Sequence, residues 1–287
     1  MAFRSSIDPK LLLLVGIAAV SLSSIISRAS EANPLAIAFY RNFLGGLILL
    51  PFAYGRRSEF ESLSRKEWTL LVVSGLFLSL HFATWITSLI NTTITASLVL
   101  THTDPLRVAL LAYAFLGERP SRRAMTGFPL ALIGVLLITA QTSLESLLSL
   151  GRGDLLALAG AATVSVYLLI GRSLRQKLSV TVYASTVYLF ASSFLLVGVQ
   201  IADAPLLSYS WTQYAMFLAL AIGPSAIGHT SFNYALKHLK ASAVSISTLG
   251  EPVVASLLAV FIFGEIPGPL TLLGAALVLA GLYYALK

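Results

Sequence analysis

The sequence predicts an all-α integral membrane protein of ten transmembrane helices, arranged as two inverted five-helix repeats, 1–147 and 148–287, in one membrane domain. Three observations carry this. Of the 287 residues, 57% are hydrophobic and only 11% charged, and the mean hydropathy is +0.86, well above a soluble domain's range. Apolar runs of about 20 residues, the length that crosses the hydrocarbon core, recur from end to end. Finally, the sequence matches itself without a gap at an offset of 147: Thr101 falls on Thr248, Asp104-Pro105 on Glu251-Pro252, Gly117-Glu118 on Gly264-Glu265, Pro120 on Pro267, Gly127 on Gly274 and Gly134 on Gly281.

The runs, in order, are 10–27, 35–54, 68–89, 93–116, 121–140, 154–171, 180–201, 211–235, 241–264 and 268–286. The first, preceded by Arg4 and Lys10 and followed by "SRAS", imitates a cleavable signal peptide. It is expected to be retained, because the apolar stretch reaches Ile26 with little polar region after it, and its "G-x-x-x-V-S" at Gly16 recurs as "GAATVS" at Gly160. The second run opens after "ANP"; the fourth closes at "GERPS" and the ninth at "GEIPGP", where Gly and Pro stop or start helices.

Orientation follows from the basic residues. With sides alternating, and Arg41 and Arg107 left out because they fall inside spans, fifteen of the nineteen Lys and Arg lie on one side and only Arg28 and Arg152 on the other. The basic side is the cytoplasmic one, so both termini are expected in the cytoplasm of a cell with this chain in its plasma (inner) membrane. The same dispersal over helix ends speaks against nucleic acid as a partner, despite a net charge of +7. The absence of cysteine excludes disulfides, thiolate metal sites and cysteine nucleophiles. No metal or cofactor motif and no P-loop appears, so no cofactor is expected. The partners expected are the lipid bilayer and a small molecule, with the chain acting as a monomer.

An odd number of helices per repeat forces the second copy to enter the membrane inverted, an architecture found mostly among transporters. Asp104 lies about 18 Å and Glu251 about 15 Å along their predicted helices at 1.5 Å per residue, near the bilayer centre. Each precedes a proline, Pro105 or Pro252, which is expected to break the helix because it removes the hydrogen bond to the carbonyl four residues back, that of Thr101 or Thr248. Each repeat thus offers a carboxyl group beside a freed carbonyl. An intramembrane carboxylate costs at least about 2.5 kcal/mol, so two at matching places point to function. An internal ion pair of Asp104 with Arg107 is the competing structural account, and Arg41 in the second span has two readings, pairing with a carboxylate or binding an anionic group. On the third span His81, Trp85 and Ser88 share a face at i, i+4 and i+7; on the eighth Ser225, His229 and Asn233 share another. Tyr167 and His102 are secondary candidates for the same cavity. Glu118 and Glu265 are expected to cap the start of the helix that follows each.

These residues carry a resemblance. A proline-containing helix, then "GE", then a glycine-spaced helix, present as "DPLRVALLAYAFLGERPSRRAMTGFPLALIG" and "EPVVASLLAVFIFGEIPGPLTLLGAALVLAG", resembles the ten-helix EamA-type carriers of the drug/metabolite transporter superfamily over almost the whole chain. The resemblance implies a central cavity built from the first, third, fourth, sixth, eighth and ninth spans, and often export of amino acids or other small metabolites. Asp104, where the second copy has Glu251, departs from the pattern.

Two other functional classes compete with a carrier. "GPSA" at 223–226 approaches the G-x-S-G of intramembrane serine proteases, but Ala226 stands in the fourth place, and Ser225 and His229 on one helix face need not meet as nucleophile and base. A passive pore is the other alternative; pores usually assemble charge rings from several subunits, whereas this chain holds one acid in each half. For a carrier, a small zwitterionic or neutral substrate is expected at His81, Trp85, Thr101, Asp104, Tyr167, Ser225, His229, Asn233, Thr248 and Glu251. Glu251, which has Val254 rather than an arginine at i+3, is the expected proton-coupling acid, with His229 and His81 in reserve.

Overall fold

The structure, a computed structural model, describes residues 7–139, 151–263 and 268–287. Within these every regular element is a helix: α1 (Pro9–Ala29), α2 (Pro34–Tyr54), the short α3 (Ser58–Glu61), α4 (Arg65–Asn91), α5 (Ile94–Thr101), α6 (Asp104–Leu116), α7 (Arg122–Thr139), α8 (Arg152–Leu174), α9 (Val180–Ile201), α10 (Trp211–His238), α11 (Ala241–Ser247), α12 (Glu251–Phe263) and α13 (Pro269–Leu286). Eight described segments are long and apolar enough to cross a membrane by length and composition. Large apolar side chains such as Leu14, Leu110, Phe115 and Leu272 stand exposed, whereas the fully buried side chains include Arg41, Arg175, Tyr167 and Tyr183. That distribution suits a lipid solvent, which accepts hydrocarbon on the outside and pushes polar groups toward the bundle interior.

The helix starts are written locally. Asp8 and Asn33 accept hydrogen bonds from the amides of Lys10 and Leu35, each with a proline at the first helical position, where its missing N–H costs nothing. Ser64 and Glu67 cap one another's amides at the head of α4. Gly117 ends α6 with φ of 65°, a left-handed closure that favours glycine.

The two spans expected to break at Pro105 and Pro252 are each split in two. The run 93–116 is α5 and α6, separated by a turn at His102 and Thr103. Its counterpart is α11, a 3-10 turn over Thr248–Gly250, and α12. Pro105 and Pro252 are therefore not kinks inside a helix: each is the second residue of a new one, the place where proline fits without loss. The sequence also does not announce the π-helical stretch Ala221–His229 in the middle of α10, which surrounds Pro224 and re-phases the faces on either side of it.

Two packing features hold the site in place. Helix α4 lies along α8, α2 along α9 and α7 along α13. In the last pair the glycines interlock: a Cβ on Gly134 would lie 2.5 Å from the Gly274 carbonyl oxygen, and one on Gly281 2.5 Å from that of Gly127. Backbones approach this closely only where side chains are absent. At the α4–α5 junction the Thr92 hydroxyl donates to Asp154 of α8 at 2.8 Å, and the other oxygen of that carboxylate accepts the Gly151 amide at 2.8 Å.

Candidate functional site

A cavity of about 70 Å³ opens where both helix breaks meet α1, α4, α8 and α10; it has room for a few waters. Its polar wall is Ser23, His81, Trp85, Thr101, His102, Asp104, His229, Thr248 and Glu251, and its apolar wall Val20, Leu98, Val164, Leu168 and Phe232. Both acids and both threonines of the matched segments thus face one space, as do both histidines of the predicted faces. The His81 and Trp85 rings lie parallel at 6.0 Å, and the His81 and His229 rings are 6.5 Å apart. His81 Nδ1 is 2.9 Å from the Gly160 carbonyl, which can only accept, so the proton sits on Nδ1 and Nε2 is left free.

The two acids are held differently. Asp104, at the start of α6, accepts a short hydrogen bond from the Ser245 hydroxyl of α11. Glu251, at the start of α12, has its carboxylate oxygen 3.8 Å from His102 Nε2, the glutamate side chain being 17% exposed and the histidine 4%. His102 Nδ1 lies 2.6 Å from the Leu98 carbonyl; it is the donor there, which aims the other ring nitrogen at Glu251.

Several expectations change. Among the described residues no ion pair joins Asp104 to Arg107 or to Arg41. Asp104 turns to Ser245, and Arg107 reaches back to the Thr103 hydroxyl at 2.8 Å, because a first-turn side chain at the helix break points at the neighbouring helix rather than along its own. Arg41 donates to Ser225 at 3.3 Å and Ser23 at 2.8 Å, with its guanidinium 4.0 Å above the Phe82 ring. Tyr167, Ser225 and Asn233 stand behind the wall rather than on it: Tyr167 donates to Asn233 at 2.8 Å, and Ser225 is engaged with Arg41, not with His229. Glu118 does cap an amide, but that of Ala241 at the head of the distant α11, while Arg172 of α8 grips its other oxygen at 2.6 Å. Glu265 lies outside the described residues. Sequence reasoning missed Ser245 and Ser23. Ser245 is embedded in the hydroxyl-rich "SAVSIS" before the second break, the only signal that marked it.

With this geometry in view the relatives of the chain become informative. The model of the EamA-like transporter family matches residues 10–140 and 151–286. The chain belongs to that family. As an EamA-like transporter it is an integral membrane protein and not an enzyme, and the protease reading of "GPSA" falls. It is 26% identical over 265 residues to a protein of Archaeoglobus fulgidus called an uncharacterized transporter, covering 91% of this chain and 90% of the relative. Over 193 residues, 65% of this chain and 62% of the relative, it is 32% identical to a protein of Streptantibioticus cattleyicolor named "Probable terminal-alkyne amino-acid exporter". A Salmonella typhimurium protein named "Probable amino-acid metabolite efflux pump" is 29% identical over 197 residues, 66% of this chain and 65% of that one. A crystal structure of another protein superposes with a TM-score of 0.80 at 18% identity, covering 98% of each chain, which speaks for the fold alone.

Proposed function

We propose that this EamA-like transporter is a monomeric secondary carrier of ten spans in two inverted five-helix repeats, 1–147 and 148–287, with both termini in the cytoplasm of an inner-membrane protein. It moves a small zwitterionic metabolite, an amino acid or similar, outward by alternating access around the cavity described above. The observation that carries this reading is the convergence of Asp104 and Glu251: two helix breaks 147 residues apart deliver an acid each to one water-sized space. Broken helices at membrane depth supply coordination where they line a cavity. The names of two relatives support the amino-acid class.

Exchange is driven by a proton on Glu251. This acid is partly open to the cavity and faces a histidine nitrogen it does not hydrogen-bond, so it can gain or lose a proton without first giving up a hydrogen bond to that ring. Purified protein in liposomes tests the proposal through counterflow of labelled L-leucine, L-phenylalanine and L-threonine. Internal unlabelled substrate is expected to accelerate entry of label; a rate indifferent to internal substrate means a passive pore, and no entry of any of the three refutes the substrate class.

A further inference from the structure

Arg41 of α2 is wholly buried. A guanidinium carries five N–H donors and cannot accept. Here Nε and Nη1 reach two serine hydroxyls, the Phe82 ring covers the plane, and the buried Nη2 has no partner. Among the described residues no carboxylate lies within 4.0 Å of it. A buried charge whose partners are all neutral is an unusual thing to keep, because desolvation is offset only by a counter-charge or full hydrogen bonding.

The hydroxyl that Nη1 grips belongs to Ser23, and Ser23 lines the cavity. The guanidinium therefore sits one small side chain behind the wall. Both negative side chains, Asp104 and Glu251, face the same space. The cavity is thus flanked by an unsatisfied cation at one edge and two acids at another, with apolar residues between.

We infer that Arg41 is the carboxylate subsite of the carrier: it takes the carboxylate of a zwitterionic substrate on Nη2 and Nη1, displacing the Ser23 hydroxyl, with the substrate's ammonium group turned toward the acidic edge of the cavity. A planar fork matches a carboxylate in two parallel bonds, and the apolar wall of Val20, Leu98, Val164, Leu168 and Phe232 accommodates the substrate's side chain. This rests on the carrier reading above and adds the groups that recognise the substrate.

The test compares each amino acid with its decarboxylated amine, L-leucine with isoamylamine and L-phenylalanine with phenethylamine, as competitors of counterflow in liposomes. The wild-type protein is expected to bind the acids at least about tenfold more tightly than the amines, a margin typical of a charge-assisted bond. Arg41→Gln should erase that margin by weakening the acids alone, and Arg41→Lys, which keeps the charge and loses the fork, should reduce it. If the amines are carried as well as the acids, or if Arg41→Gln folds and keeps the preference, the Arg41 assignment is wrong and the carrier stands. If acids and amines both fail to move, the substrate class itself fails. Should neither variant fold, the wild-type preference decides alone. A chloride-dependent flux of the amines, lost in gluconate, would give the subsite to a free inorganic anion and overturn the inference.

Discussion

The breaks at Asp104 and Glu251 carry the same motif and are built differently. At the first, a turn of two residues separates α5 from α6, and the acid is locked by a hydroxyl contributed from the other break. At the second, a 3-10 turn is followed directly by α12; the acid has a histidine from the first break as its neighbour, but at 3.8 Å no hydrogen bond holds it. Each break is therefore completed by a side chain of the other, Ser245 for Asp104 and His102 for Glu251. The difference teaches that repeat symmetry in the sequence does not distribute roles equally: a hydrogen-bonded, buried acid is suited to tying two helices together, and a loosely held one to changing its protonation.

The largest effect expected from breaking this contrast is at Glu251. Glu251→Gln should drop uptake driven by an imposed pH difference by more than tenfold while counterflow persists; accumulation against a gradient by this variant, with only a pH difference imposed, would remove Glu251 from the coupling step. Next comes His102→Gln, which leaves an amide beside Glu251. It is expected to slow pH-driven uptake several-fold and leave counterflow near wild type, and equal loss in both assays would make His102 a packing residue. Asp104→Asn should act mainly on stability, by about 1–2 kcal/mol for a weakened buried hydrogen bond, read from thermal melting in detergent, with exchange retained. Ser245→Ala should cost about 1 kcal/mol. Combined with Asp104→Asn the two losses should fall short of their sum, because both remove the same bond; strict additivity would show that the contact contributes nothing.

Much of the fold was legible because it is dictated locally. Asn33-Pro34 states where α2 begins, and the apolar runs have no other solvent that suits them. Thr101, Asp104, Thr248 and Glu251, matched in sequence at the offset of 147 residues, line one cavity. What failed was anything decided by a neighbour distant in sequence. Arg41 and Asp104 look like partners on charge alone, yet each is claimed by serines of other helices. Glu118 looks like a cap for the helix just after it, yet it serves α11 because Arg172 of α8 draws it across. The breaks expected at Pro105 and Pro252 are present, and at each the proline is the second residue of the new helix, a place where it fits without loss. The π-helical stretch at Ala221–His229 rests on a register choice that a pattern of apolar residues does not encode, so Ser225, His229 and Asn233, one face by simple counting, are divided between the wall and the layer behind it.

The seam between α7 and α13 has a mechanical meaning. Gly134 would meet the Val278 side chain at 2.8 Å, and Gly281 the Cβ of Ala131 at 2.7 Å, if either glycine carried a single methyl group. Two backbones in such contact cannot slide by part of a residue without driving a neighbouring side chain into a glycine. The pair behaves as one rigid strut. In the alternating-access cycle proposed above, the change between inward-facing and outward-facing forms is absorbed elsewhere, at junctions made of exchangeable hydroxyl contacts such as Ser23 with Arg41 and Ser245 with Asp104, so that the strut supplies the fixed axle and the cavity the moving bearing.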